Sequence, residues 1–497
     1  MTSILPLFLL LLGCEETVVR ESAVEGLRKM VPFFTDDQVQ NDLIPMVINI
    51  SNIEAFQWKV SACYLIRICY PKAGNEKEKL VNLYFKLCED DTPIIKRTAA
   101  KEFGPLCLII EKNTIKSQMF NCYKKFMNES DTVRVTILPS IVQLSKIFQD
   151  PEIQKSHIQS IKNASIDKSW RVRNELANLY PQFIDYFQNN PNLDLVQPMC
   201  TLMKDSETEV KASALKALNK VITKLPPDKV ISQIVPTLRG LNNESNKDTK
   251  SYIGSLFGPI STIIGYTAFN ANLGAMMDNL MKDENAEVRL GIVKSMYDIF
   301  VSSDGSLLNS INTFLGTMQK DTKYRIRECV YDTLARLGIK YGLEVFQNNI
   351  EGLFFNYLSD NVASVREIGI KGLSELINQF GNKWVITSLI PKLKNHLNDP
   401  NISYLNRMCI IHSVAICAES LDEKQNEENI LPIMTKGLND KIPNVKFYTI
   451  KLIETIWKFF DQNSKTKLEG NIKALISDED PDVKYFADKF IKGEPPK

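Results

Sequence analysis

The sequence predicts an all-helical protein, an α-solenoid in which one helix pair is repeated along the chain. Three observations carry this prediction. A dipeptide of an aliphatic and a basic residue returns every 37 to 41 residues. Apolar positions around each copy keep the phase of an α-helix. No run of alternating apolar and polar residues long enough for a strand competes with them.

The repeated dipeptide is clearest at Val19-Arg20, Ile95-Lys96, Val133-Arg134, Val172-Arg173 and Val210-Lys211. It continues at Val288-Arg289, Ile326-Arg327, Val365-Arg366, Val445-Lys446 and Val483-Lys484. Weaker copies at Trp58-Lys59, Thr249-Lys250 and Asn406-Arg407 fill the gaps, giving thirteen basic anchors in step. Seven residues after each anchor stands a large apolar or aromatic side chain, from Leu27, Ile66 and Phe103 through Leu334 and Leu373 to Ile453 and Ile491. Three residues after the early anchors the side chain is small or aliphatic: Ala23, Ala62, Ala99, Ile137, Leu176 and Ala214. Spacings of 3, 4 and 7 place these on one helical face. This is the second helix of each unit.

The first helix ends before an acid. Asp90, Asp167, Asp205, Asp283, Asp321, Asp360, Asp440 and Asp478 each stand six residues ahead of an anchor. Aspartate there suits a turn or a helix cap. Pro6, Pro45, Pro236 and Pro432, fourteen residues ahead of their anchors, are expected to start or bend the first helix. A unit of helix, short turn and helix with a period of 38–39 residues falls in the HEAT/armadillo class. About thirteen such units would form a superhelical horseshoe in which no unit buries its apolar face alone.

Composition excludes several function classes. The 60 basic and 59 acidic residues give a net charge of +1, which argues against a general nucleic-acid binder. Only His157, His396 and His412 exist, too few for a histidine-based metal or catalytic centre. The ten cysteines form no C-x-x-C pair and read as free thiols of a reducing compartment, cytoplasmic or nuclear. The acidic run 478–482 lacks the glycine and the terminal acid of a calcium loop, and reads as a helix start. No phosphate-binding loop, nucleophile elbow or zinc-protease motif is present. An Asp and a basic residue repeated along the whole chain serve structure: a ladder between adjacent turns that aligns the units. The expectation is a protein that is not an enzyme, with no cofactor and no metal.

The turns between paired helices hold the unusual residues: Phe56 with Trp58, Pro93 with Lys96 and Arg97, Trp170 with Arg171, Tyr324 with Arg325, and Ile442 with Pro443. Aromatics and arginines are good interface anchors, so a ridge of turns is expected to dock partner proteins. The competing reading is that Trp58 and Trp170 only pack against a neighbouring unit.

Several stretches resemble one HEAT-repeat family, the structural (scaffold) A subunits of protein phosphatase 2A. They are 15–28 (EETVVRESAVEGLR), 90–97 (DDTPIIKR), 167–173 (DKSWRVR), 282–290 (KDENAEVRL), 381–384 (GNKW) with 389–393 (LIPKL), 399–401 (DPN) with 404–408 (YLNRM), and 480–487 (DPDVKYFA). The resemblance implies a non-enzymatic scaffold within a heterotrimer. Residues 311–497, with the last five units, would hold the phosphatase catalytic subunit through Tyr324, Arg325, Val362, Arg407, Ile442, Pro443 and Asp482. Residues 1–310, with the first eight, would hold an exchangeable regulatory B-type subunit. Its contacts would be Glu15, Glu16, Phe56, Trp58, Asp91, Pro93, Arg97, Ser169, Trp170 and Arg171. No nucleic acid and no membrane are expected as partners. The alternative is a HEAT-repeat nuclear transport receptor or other cargo adaptor.

The chain departs from the family in places. Ala363 stands where the family carries an aromatic, and Tyr324 replaces a tryptophan. The family has two further repeats ahead of the matched region. The first helix here, residues 4–12, is apolar nearly all round and belongs inside a stack. The expectation is therefore either a natural chain that begins upstream or a first helix that pairs with another molecule or peels away.

Overall fold

The computed structural model describes residues 4–148, 151–187 and 194–493. The chain divides into two compact units, Met1–Thr249 and Lys250–Lys497. Among the described residues every regular element is a helix. Both units are built of helix pairs of the α-solenoid class.

In the first unit the pairs include Ile44–Ser51 with Phe56–Cys69, Lys77–Cys88 with Pro93–Cys107, and Val196–Met203 with Thr208–Val221. Second helices pack on second helices: Phe56–Cys69 on Pro93–Cys107, and Trp170–Phe187 on Thr208–Val221. The core follows the repeat phase, with Leu27, Ile66, Phe103, Ile141, Tyr180 and Leu218 all buried. Each such side chain contributes roughly 1.5–3 kcal/mol relative to exposure. Along Leu5–Leu12 only Leu12 is buried, and Leu7 and Leu10 lie exposed.

In the second unit Tyr266–Met281 pairs with Ala286–Ser302, Ile311–Met318 with Tyr324–Tyr341, and Leu431–Leu438 with Pro443–Ile456. Tyr324–Tyr341 packs on the helix that starts at Ala363, and Pro443–Ile456 packs on Pro481–Lys492. Phe257, Met296, Leu334, Leu373, Val414 and Ile453 are buried, whereas Ile491 of the last helix is half-buried. Gly381, at φ 77°, breaks the run Ala363–Trp384 and lets the next first helix start in a new direction.

The prolines of the first helices act as expected, with a local device the sequence does not announce. Pro45 and Pro236 each follow a π-turn, Val39–Leu43 and Val230–Ile234, and Pro391 follows Val385–Leu389 in the same way. Proline has no N–H to donate and its ring crowds the carbonyl one turn back. The wider turn makes room and bends the helix.

Candidate protein-docking turns

The turns are positioned by the predicted ladder, and its connectivity is specific. Ten of the thirteen basic anchors reach the acid of the following turn. In the first unit Lys59 meets Asp90 at 2.7 Å, Arg134 meets Asp167 at 2.8 and 2.9 Å, and Arg173 meets Asp205 at 2.5 and 2.9 Å. In the second, Lys250 meets Asp283 at 2.8 Å, Arg289 meets Asp321 at 2.7 and 3.0 Å, and Lys446 meets Asp478 at 2.6 Å. The arginines hold their own turn as well. Nη1 of Arg173, Arg289 and Arg327 donates to the carbonyl of Asp167, Asp283 and Asp321 at 2.6, 2.7 and 2.7 Å. Each acid also accepts an amide two residues on, as Asp321 does from Lys323 and Asp440 from Ile442. One carboxylate thus ties a turn together and fastens it to the preceding helix.

Electrostatics follow from this. Partial burial works against the ionised form of Asp205, Asp321, Asp360 and Asp440. The hydrogen bonds from the arginine and from the turn amide outweigh it and hold each carboxyl below the usual range. At Asp478 the bond from Lys446 is the main cause of the lowering.

Two rungs use glutamates that the aspartate pattern leaves out: Lys96 meets Glu129 at 2.8 Å and Lys211 meets Glu244 at 2.5 Å. Glu244 keeps the six-residue offset from its anchor and could have been found by admitting either acid. Arg20 lacks an acid because Ile53 stands at that offset. It is 4% exposed, bonds the carbonyls of Cys14 and Glu15 and the hydroxyl of Thr17, and leaves its Nε buried without a partner.

Backbone held this way presents the first residue of several second helices to solvent. Phe56 is 39% exposed, Trp170 40%, Tyr324 41% and Tyr404 38%. All four are first helical residues. Tyr404 is an exposed candidate that the sequence pattern leaves out. Glu15, Glu16, Asp91, Pro93, Arg97, Arg171, Arg325 and Asp482 are also exposed. Ser169 and Arg171 converge on Asp131 of the preceding turn, at 3.1 and 3.7 Å, and the Arg171 guanidinium lies 5.9 Å from the Trp170 ring. Val362 and Ile442 are half-buried helix caps whose amides bond Asp360 and Asp440, and half-buried Pro443 opens its helix.

Two predicted contacts sit differently. Trp58 is half-buried against Gly13, where an added Cβ would stand 2.0 Å from the indole. Arg407 is engaged in the ladder, donating to Asp440 at 2.7 and 2.8 Å and to the Ile402 carbonyl at 3.1 Å.

Among the described residues no cluster of His, Cys, Asp and Glu is placed to hold a metal, and no helix is long and apolar enough to cross a membrane. The ten cysteines are free thiols, eight of them buried. Burial raises the pKa of Cys69 and Cys409 to about 12 and that of Cys329 to about 11.

A surface of periodic, rigidly held turns with exposed aromatics suits protein docking, and sequence comparison finds relatives of that kind. The chain is 29% identical over 305 residues to the beta isoform of the human 65 kDa regulatory A subunit of serine/threonine-protein phosphatase 2A, covering 57% of this chain and 48% of the relative. It is 29% identical over 212 residues to the regulatory A subunit of protein phosphatase PP2A from Saccharomyces cerevisiae, covering 40% and 33%. With the protein phosphatase 2A scaffold subunit of Dictyostelium discoideum it shares 38% over 117 residues, covering 23% and 20%.

The chain is a relative of the protein phosphatase 2A regulatory A subunits.

It spans less than half the length of these A-subunit relatives. Their names describe regulatory or scaffold subunits of a phosphatase. The family model described as PIK3R4-like, middle domain, matches residues 262–476. Solved structures share the fold. The karyopherin Kap121p bound to Nup53p has a TM-score of 0.64 at 12% identity, covering 98% of this chain and 53% of that one. In the Kap95:Nup1 complex the values are 0.62, 13%, 98% and 68%.

Proposed function

We propose that this chain is a non-enzymatic scaffold subunit of a protein phosphatase 2A-type assembly. Residues 311–497 hold the catalytic subunit through the turns at Tyr324-Arg325, Val362, Arg407, Ile442-Pro443 and Asp482. Residues 1–310 hold a regulatory B-type subunit through the turns at Glu15-Glu16, Phe56-Trp58, Asp91 to Arg97 and Ser169 to Arg171. Together they form a heterotrimer. The similarity to the phosphatase scaffolds carries this reading. The exposed aromatics at the starts of second helices support it chemically, because such residues bury much area at small entropic cost. Arg407 contributes by fixing its turn, since its own donors are occupied.

The test is reconstitution of the full chain, in separate experiments, with a B-type subunit or with a phosphatase 2A catalytic subunit. Tyr324→Ala with Arg325→Ala should weaken binding of the catalytic subunit by about tenfold or more, and leave the B-type subunit bound. Capture of a small GTPase and transport cargo in place of the phosphatase subunits would overturn the reading in favour of a cargo adaptor.

A further inference from the structure

One rung of the ladder in the second unit is open, at Arg366. Its neighbours define a closed rung. Arg327 gives Nε and Nη2 to Asp360 at 2.7 and 2.9 Å, and Arg407 gives the same pair to Asp440 at 2.7 and 2.8 Å. Arg366 keeps only the contact to its own turn, Nη1 to the Asp360 carbonyl at 2.7 Å, the distance at which Arg327 holds the Asp321 carbonyl. Its acid by position is Asp399, at the same sequence offset that separates Arg327 from Asp360 and Arg407 from Asp440. Among the described residues no carboxylate lies within ion-pair reach of Arg366.

The turn explains the gap. The second helices next to it start at Ala363 and Pro443, three residues after Asp360 and Asp440. The helix after Asp399 starts at Tyr404, two residues later. In this longer turn Asp399 is exposed and lines a different cleft with Pro391, Lys392 and His396. The Arg366 guanidinium, rigid and planar and fixed by Nη1, is left in the pose of a rung with two donors unfilled. Beside it lies a cavity of about 170 Å³ whose walls include Ile370, Leu405, Met408, His412 and Tyr448. His412 and Tyr448 bond each other at 2.9 Å, so the polar wall is already satisfied. Exposed Glu367 also reaches the cavity.

We propose that Arg366 and this cavity form a socket for the partner held on the last five turns. A carboxylate side chain of that protein closes the open rung, and an apolar neighbour of that carboxylate seats against Ile370, Leu405 and Met408. The fork accepts a carboxylate in every closed arginine rung of this unit, and bidentate pairing is its preferred geometry. Glu367 disfavours a doubly charged phosphate at the same place and leaves a singly charged carboxylate as the better fit. The socket rests on the scaffold reading above.

The experiment measures melting temperature, and binding strength toward the catalytic subunit, for the full chain and its Arg366→Gln, Arg366→Lys, Arg327→Gln and Asp399→Asn variants. Arg366→Gln should lose about tenfold in affinity, with Arg366→Lys between it and the wild type because charge survives without the fork. Its melting temperature should fall less than that of Arg327→Gln, which breaks a closed rung. Asp399→Asn should change neither quantity. If the wild type fails to bind the catalytic subunit, the scaffold reading falls and the socket with it. If the wild type binds and Arg366→Gln binds equally, only the socket falls. A melting loss in Asp399→Asn matching that in Arg366→Gln would mean the rung closes internally, and would overturn the proposal. So would inorganic phosphate that raises the melting temperature of the wild type but not of Arg366→Gln, since it would assign the fork to a free anion.

Discussion

Arg327 closes on Asp360 with both Nε and Nη2, and the two side chains are only 13% and 7% exposed. A pair this sheltered differs from a surface ion pair, because removing one member strands the other. Either Arg327→Gln or Asp360→Asn should destabilise the second unit by about 2 kcal/mol, less than the 3–5 of a fully buried pair. The double variant should cost less than the sum of the singles, since each single already abolishes the rung. Equilibrium urea unfolding of the four proteins gives the coupling, and additive effects would show that the rung contributes nothing as a pair.

The ladder acids set an acid limit. Asp205, Asp283, Asp321, Asp360, Asp440 and Asp478 all have carboxyls held below their ordinary range. Their unfolded counterparts take up protons first as the pH falls. The stabilisation is therefore complete above the ordinary aspartate value of about 3.9 and is lost as pH drops through the lower folded values. Circular dichroism from pH 6 to pH 2 should show helix loss setting in below about pH 4, and moderate salt should shift it little because the rungs are sheltered.

His157 adds a separate dependence at milder pH. It is 2% exposed, stacks on Phe120 at 5.8 Å, and its Nδ1 lies 2.9 Å from the Ser145 hydroxyl. Nε2 is buried without a partner, and burial lowers the pKa to about 4. Between that value and an unfolded value of about 6.5 the unfolded chain binds a proton that the folded chain refuses. Stability should rise with pH across this window by about 1 kcal/mol per pH unit. His412, lowered by burial as well, contributes in the same direction. His157→Leu should flatten the slope, and an unchanged slope would mean that His157 is protonated in the folded protein.

The repeat, the buried phase and the ladder were legible in the sequence because each recurs, and recurrence separates signal from composition. The buried set from Leu27 to Ile453 falls where the anchor-plus-seven rule puts it. Tyr404, the open rung at Arg366 and the π-turns before Pro45, Pro236 and Pro391 are departures from the repeat, and a rule built on recurrence is blind to them. The open rung had a trace: the one spacing of 41 residues, between Arg366 and Arg407, marks the turn whose extra length carries Asp399 away. Exposure at the turns was harder still, since Phe56 and Trp58 are two residues apart and the sequence treats them alike.

The turns at Trp58 and Trp170 separate packing from docking. The Trp58 indole lies where a Cβ on Gly13 would be, so it fills a notch at the end of the first helix of the preceding pair, and Gly13 is the residue that makes the notch. Trp170 opens its helix 40% exposed, with Arg171 beside it and Ser169 tied to Asp131. Truncating Trp58 empties a packed site, and Trp58→Ala should cost about 2–3 kcal/mol of stability, somewhat under a full core truncation because the ring is half-buried. Gly13→Ala should act on the same contact by pushing the indole out, with a smaller loss. Trp170→Ala leaves no cavity, so its stability should stay within about 0.5 kcal/mol of the wild type, while affinity for a B-type subunit falls about tenfold if the turn is a docking anchor. Thermal melts of the three variants, followed by titration of the B-type subunit into each folded one, distinguish the roles. A melting loss in Trp170→Ala equal to that in Trp58→Ala would assign both rings to packing and remove Trp170 from the docking surface.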